Sequence, residues 1–265
     1  MTDLTRYGPW AVIAGGSEGV GAEFARLLAA AGINLVLIAR KPGPLAQTAG
    51  ACRELGVQVR EVALDLLEPE AVSRIIEVTA DVEVGLLIYN AGANTVRSPF
   101  LDASLQHFQR VLDLNITAML ALVQHFARPM RYRRRGGVLL VGSMAGAHGS
   151  YAQSIYTGAK AFGRLFAESL WLELREYDVD VLELVLGVTR TPAMARVGLN
   201  FDVPGLRVSE PADVAAEGLA NLTNGPVVIA GGNGPAVERG SGPDRANIVL
   251  GAHQAMMALT GGRRS

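Results

Sequence analysis

A doubly wound α/β fold, a mostly parallel seven-stranded sheet with helices on both faces, is predicted by three observations. Short apolar runs alternate with longer stretches of helical period, the order of stacked βα units. Most of those runs are apolar at every position, as strands covered on both faces must be. A glycine-rich turn, Gly15 to Gly21, joins the first run to the first helical stretch, which is where such sheets open to ligands.

The runs read as strands are 10–14, 35–38, 57–64, 85–89, 138–141, 179–186 and 227–229. Between the first two, Val20, Phe24, Leu27, Leu28 and Ala31 recur at helical spacing, and Gly32 is placed to end that helix. The longest helical stretches, 105–128 and 154–176, carry apolar residues beyond a single stripe. Their outer faces are expected to pack on a partner subunit as a homodimer or homotetramer.

From Thr191 to Ser209, Met194, Val197, Leu199, Phe201, Val203 and Leu206 make an apolar segment interrupted by Pro204-Gly205. The glycine-rich stretch 230–242 reads as a loop. Ile248, Val249, Gly251, Ala252, Ala255, Met256 and Leu259 give an apolar face to a C-terminal helix near 244–260, suited to core or subunit packing. No repeat or linker divides the chain, so 1–265 is expected to be one domain.

With 49% hydrophobic and 18% charged residues, a large core is affordable and disorder is excluded. A formal net charge of -1 gives no overall field to recruit nucleic acid or an anionic membrane, which leaves small molecules as the expected partners. The one cysteine, Cys52, allows no intramolecular disulfide. Residues 1–9 lack a basic start and apolar stretch, and no apolar run approaches the ~18 residues of a membrane span. A cytoplasmic protein without stable membrane insertion is the expectation. Arg131, Arg133, Arg134 and Arg135 follow a long helix, where cations are favoured at the C-terminus. His107, His125, His148 and His253 have no metal-ligand spacing, and no metal is expected.

Chemistry enters at the turn Gly15-Gly16-Ser17-Glu18-Gly19-Val20-Gly21. A pyrophosphate there meets unpaired helix N–H groups and the positive end of the dipole, and glycines let the backbone approach closely. The spacing is Gly-x-x-x-Gly-x-Gly rather than Gly-x-Gly-x-x-Gly. After the second strand, where an acid would bond the ribose hydroxyl of NAD, Ala39 is followed by Arg40 and Lys41. A guanidinium there suits a 2'-phosphate, so NADP(H) is the predicted cofactor.

Tyr156 and Lys160 lie four apart at the start of a helical stretch, so both project from one face. An ammonium beside a phenol stabilises the phenolate and makes the pair competent in proton transfer. Ser143, in Val141-Gly142-Ser143-Met144-Ala145-Gly146, follows the fifth strand at the edge where ligands bind, and its hydroxyl is suited to hold a substrate oxygen. Asn115, in Leu112-Asp113-Leu114-Asn115-Ile116, is polar where an apolar residue packs more easily; by itself it reads more readily as a satisfied core amide than as a functional group.

At these residues the chain resembles the short-chain dehydrogenase/reductase family over nearly its whole length. The family's glycine turn falls on Gly15, Gly19 and Gly21, with Ser17, Glu18 and Val20 between them, and its Asn-Ala-Gly falls on Asn90, Ala91 and Gly92. The resemblance implies a Rossmann-type oxidoreductase with Asn115, Ser143, Tyr156 and Lys160 as the catalytic set. It further implies that Lys160 bonds the nicotinamide ribose and Asn115 holds a relay water. Asp65 resembles the adenine-contacting aspartate, with Leu66 beside it, and Gly187, Val188 and Thr191 line the nicotinamide end. Residues 190–209 resemble the mobile substrate lid. Ala145, His148, Tyr151 and Met194 are expected near substrate, although His148 and Tyr151 read equally as residues that hold their loop.

Three positions depart from the pattern: Ala14 replaces a threonine, Tyr89 the first asparagine of Asn-Asn-Ala-Gly, and Leu186 a proline. The implied activity is interconversion of an alcohol and a ketone on an apolar small molecule. The alternative is a non-catalytic module that senses NADPH, since fold alone does not prove catalysis. All four catalytic side chains are present, and that favours the enzyme.

Overall fold

Side chains alternate across a strand, so five consecutive apolar residues bury themselves only if both faces are covered. The computed structural model satisfies this in β1 (Trp10–Ala14), where every residue is buried: Val12 packs into one core and Ile13 into the other. It describes residues 3–203 and 205–259, without the side chains of Met256, Ala258 and Leu259. Pro204 of the expected lid, and Met256 and Leu259 of the expected apolar face, therefore lie outside the described residues or side chains.

After β1 come α1 (Gly19–Ala30), β2 (Asn34–Ala39), α2 (Pro42–Arg53), β3 (Val59–Ala63), α3 (Ala71–Thr79) and β4 (Val84–Tyr89). The middle of the chain supplies α4 (Leu105–Leu112), α5 (Ala118–Arg133), β5 (Gly136–Ser143), α6 (Ser154–Leu174) and β6 (Val179–Leu186). The last part adds β7 (Val188–Thr189), α7 (Pro192–Arg196), β8 (Val208–Ser209), α8 (Pro211–Ala220), β9 (Val227–Ile229), α9 (Gly234–Gly240) and α10 (Arg245–Leu259).

Seven strands pair in the order β3-β2-β1-β4-β5-β6-β9, every pair parallel. One face is covered by Phe24 and Leu28 of α1, Leu45 of α2 and Leu219 of α8. The other is covered by Ile75 of α3, Leu122 and Phe126 of α5, and Ala167 and Leu174 of α6. The strand order reverses between β1 and β4, and the crevice beyond their carboxyl ends is where this topology binds ligands.

Gly32 ends α1 as expected, in the left-handed region at φ 79°. Three elements differ from the sequence reading. The stretch 105–128 is not one helix: a π-helical segment, Asp113–Thr117, separates α4 from α5. α5 then continues past Pro129 to Arg133, because fully buried Met130 anchors its last turn while Pro129 faces solvent. The glycine-rich stretch 230–242 is mostly helical; Pro235 fits the first turn of α9, and Val237 is buried against Ala147 and Val185. A two-stranded parallel pair, β7 with β8, also ties the two ends of the 188–209 segment together, which no periodicity announced.

Among the described residues no helix is long and apolar enough to cross a membrane. The basic cluster is engaged with its own surface. Arg131 stacks 4.6 Å from the Tyr177 ring, Arg133 donates to the Val84 carbonyl at 2.7 Å, Arg134 pairs with Asp178, and Arg135 pairs with Glu83.

Candidate active site

Gly15 leaves β1 at φ 85°, and its N–H donates to the Ile38 carbonyl at 2.8 Å. A Cβ there would lie 2.9 Å from the Ala91 backbone nitrogen, so only glycine lets the turn approach the end of β4. Asn90 closes this contact from the other side: its N–H donates to the Ala14 carbonyl and its Nδ2 to the Gly15 carbonyl, both at 2.9 Å. Glu18 precedes the first turn of α1 without capping it by side chain. The first N–H groups of α1 are therefore left for a ligand, and with Arg40 and Lys41 in the same crevice they suit a phosphorylated dinucleotide.

The crevice has a volume of about 350 Å³. At one end it is lined by Ser17, Glu18, Gly19 and Val20 of the turn, Arg40 and Lys41 after β2, and Asp65 and Leu66 after β3. At the other it reaches Asn90, Ala91, Gly92, Ser143, Tyr156, Lys160, Gly187, Thr191 and Met194. Arg40 Nη1 stands 3.9 Å from Asp65 Oδ2 with its side chain 61% exposed, so the guanidinium is loosely held.

Several predicted residues stand back from the crevice lining. Gly21 is buried under the turn, where a Cβ would come 2.0 Å from the Gly15 carbonyl oxygen; its function is close packing. Val188 lies in β7. Ala145 is in the 3-10 turn Met144–Gly146, where its N–H donates to Ser143 Oγ at 3.2 Å. His148 and Tyr151 belong to the following loop, with the Tyr151 ring tilted on His253 of α10 at 5.4 Å. Asn115 is likewise behind the lining, buried at the centre of the π-helical segment.

That segment explains how Asn115 is aimed. Its Nδ2 donates to the Val111 carbonyl at 2.9 Å and to the Ala93 carbonyl at 3.0 Å, which holds the loop after Gly92. Its Oδ1 is buried without a partner. A Cβ on Gly92 would lie 2.9 Å from that oxygen and 2.8 Å from Lys160 Nζ, so both polar atoms converge on the space glycine leaves open. Tyr89, the departure from the family pattern, is buried and donates its hydroxyl to the Leu114 carbonyl. It thereby fixes the π-helical segment that carries Asn115, and burial pushes the Tyr89 phenol well above its ordinary range.

Lys160 donates from Nζ to the Val141 carbonyl at 3.1 Å and stands 5.8 Å from the centre of the Tyr156 ring. A phenol, an ammonium and the Ser143 hydroxyl thus share one end of the crevice. They can hold a carbonyl oxygen and exchange a proton with it.

Arg196 was not anticipated from sequence. It reaches from α7 back to Glu18, donating to Oε2 at 2.9 Å and also to Oε1, and these bonds hold the Glu18 carboxyl below its usual range. The contact spans 178 positions, and nothing local to Arg196 announces it.

The family model for the short chain dehydrogenase matches residues 9–200. The very-long-chain 3-oxoacyl-CoA reductase of Neurospora crassa is 33% identical over 207 residues, 74% of this chain and 61% of that protein, so the chain spans less than two thirds of that relative. Among solved structures, one described as giving insights into 7beta-hydroxysteroid dehydrogenase stereoselectivity superposes with a TM-score of 0.86 at 27% identity, covering 94% of this chain and 98% of its own. A short-chain dehydrogenase from Sphingobium yanoikuyae in complex with NADPH gives a TM-score of 0.78 at 29% identity, covering 95% and 96%.

Proposed function

The chain belongs to the short-chain dehydrogenase family, and from that premise we propose that it is a single-domain NADP(H)-dependent oxidoreductase interconverting a secondary alcohol and a ketone. The observation that carries the proposal is the convergence of Ser143, Tyr156 and Lys160 at one end of a crevice whose other end holds Arg40 and Lys41. NADPH in the Sphingobium yanoikuyae relative supports the cofactor choice, as does the basic pair where an acid would favour NAD.

A bound nicotinamide supplies or accepts the hydride. Ser143 Oγ holds the substrate oxygen, and Tyr156 gives it a proton in reduction or takes one in oxidation. Lys160 supports the phenolate, and Asn115 Oδ1, the unpartnered acceptor, holds the water that passes the proton on. Gly92 keeps that path clear. Leu114, Leu186, Ala193 and Met194 give the crevice an apolar lining, which fits the steroid and acyl compounds named for the relatives. The residues 190–209 act as the substrate lid, with Arg196 latched to Glu18 across the crevice.

Leu165 and Leu172 of α6 are more than 60% exposed, and Leu105 of α4 is 73% exposed. They are the faces through which a homodimer or homotetramer forms. The test is a panel of steroid, acyl and aromatic ketones followed by loss of NADPH absorbance. Turnover of at least one apolar ketone is expected, and tight NADPH binding with no turnover across the panel would favour the sensing module.

A further inference from the structure

We propose that Glu183, a buried acid paired with Arg164, is a positioning residue that sets the electrostatic surroundings of Lys160 without touching substrate; this rests on the assignment of Tyr156 and Lys160 above. Glu183 lies in the middle of β6 with a side chain only 2% exposed. It points to the α6 side of the sheet, the side on which Val179 and Val181 pack with Ala167 and Leu174. An apolar residue would fit there at no desolvation cost, so a carboxylate calls for a reason.

The fold clears a place for it at Gly142 of β5, where a Cβ would come 2.3 Å from Glu183 Oε1. Arg164 of α6 approaches the other oxygen, Nε to Oε2 at 3.4 Å. Lys160, one turn earlier on the same helix, holds its Nζ on the carbonyl of Val141, the residue next to Gly142. The carboxylate and the ammonium therefore bracket consecutive residues of one strand. Like charges one turn apart on a helix repel, and Glu183, paired with Arg164, supplies a negative charge beside that turn.

Of the charged groups packed around Glu183, Arg164 and Lys160 favour its ionised form and Glu168 of α6 opposes it. Its partners on the neighbouring strands, Leu140 and Val227, carry no charge. Burial outweighs the cations and pushes the carboxyl up to about 7. A buried ion pair is weak evidence of stabilisation, so an electrostatic duty toward Lys160 accounts for the charge better than a structural one.

Coupling between two titrating groups is reciprocal, so Glu183 reports on Lys160. Carboxyl carbon NMR of the full chain, labelled at glutamate side chains and with Glu183 identified by its loss in Glu183→Gln, reads the titration directly. A midpoint near 7 is expected in the parent. It should rise by about half a unit or more in Lys160→Met and in Arg164→Met, each of which removes one cation. A midpoint unmoved in Lys160→Met would overturn the proposal. A second reading uses Glu183→Gln: with NADPH and a ketone found by the panel, the parent's turnover inflects near pH 7 and the variant's does not. Superimposable profiles would also overturn it. The NMR titration stands apart from catalysis, so an active Tyr156→Phe variant would sink the assignment of the pair and leave this result readable.

Discussion

Replacing Arg40 by aspartate separates an NADP-specific site from a generic dinucleotide crevice without reference to substrate. Arg40 is 61% exposed and only 3.9 Å from Asp65, so its guanidinium gives up little to meet a 2'-phosphate. Losing a charge-assisted hydrogen bond costs about 1.5 to 3 kcal/mol, a weakening of NADPH binding by at least roughly tenfold. The new carboxylate adds repulsion against the phosphate and supplies the acceptor that the ribose hydroxyl of NAD prefers, so both effects move preference the same way. Lys41 lines the same crevice and retains part of the attraction. Because these charges are exposed, the effect should shrink as salt is raised. Titration of nicotinamide fluorescence with NADPH and NADH, at low and high salt, reads every term. Parent protein that prefers NADH, or a variant with unchanged NADPH affinity, would mean that Arg40 does not hold the 2'-phosphate.

Two further outcomes follow from the packing. Gly21→Ala puts a methyl 2.0 Å from the Gly15 carbonyl oxygen and 2.7 Å from Asn90 Nδ2, so the turn must shift. Thermal unfolding should show a loss of about 1 to 3 kcal/mol or more, together with weaker NADPH binding, and an unchanged dissociation constant would contradict the geometry. Glu183, raised from 4.5 to about 7, binds its proton more tightly folded than unfolded. Stability should therefore fall by up to about 3 kcal/mol as pH rises through that window and level off above it. Urea unfolding at pH 5 and pH 8 should show the fall in the parent and not in Glu183→Gln; equal slopes would rule it out.

The sheet was legible because strands buried on both faces write themselves as unbroken apolar runs, as at Trp10–Ala14 and Val84–Tyr89. The crevice was legible where its lining residues keep a fixed local spacing, as in Gly15 to Val20 and Tyr156 with Lys160. What stayed hidden depends on distant partners. The break between α4 and α5 leaves no mark on periodicity, since the residues around Asn115 read as one continuous helix. α9 is rich in glycine and held by burial of Val237, a tertiary effect that overrides propensity. Arg196 and Glu18 meet only through the fold. The room for the Glu183 carboxyl is made by Gly142 on another strand, so nothing within β6 itself announces that burial.

Tyr156 is proposed to transfer the proton at the end of the crevice it shares with Ser143 and Lys160. Tyr156→Phe keeps the ring and removes the transferable proton, so the most direct measurement is steady-state turnover of an accepted ketone beside NADPH affinity in parent and variant. A fall in kcat of at least about a hundredfold, with NADPH binding nearly intact, is the predicted result. Near-normal kcat in the variant would contradict it.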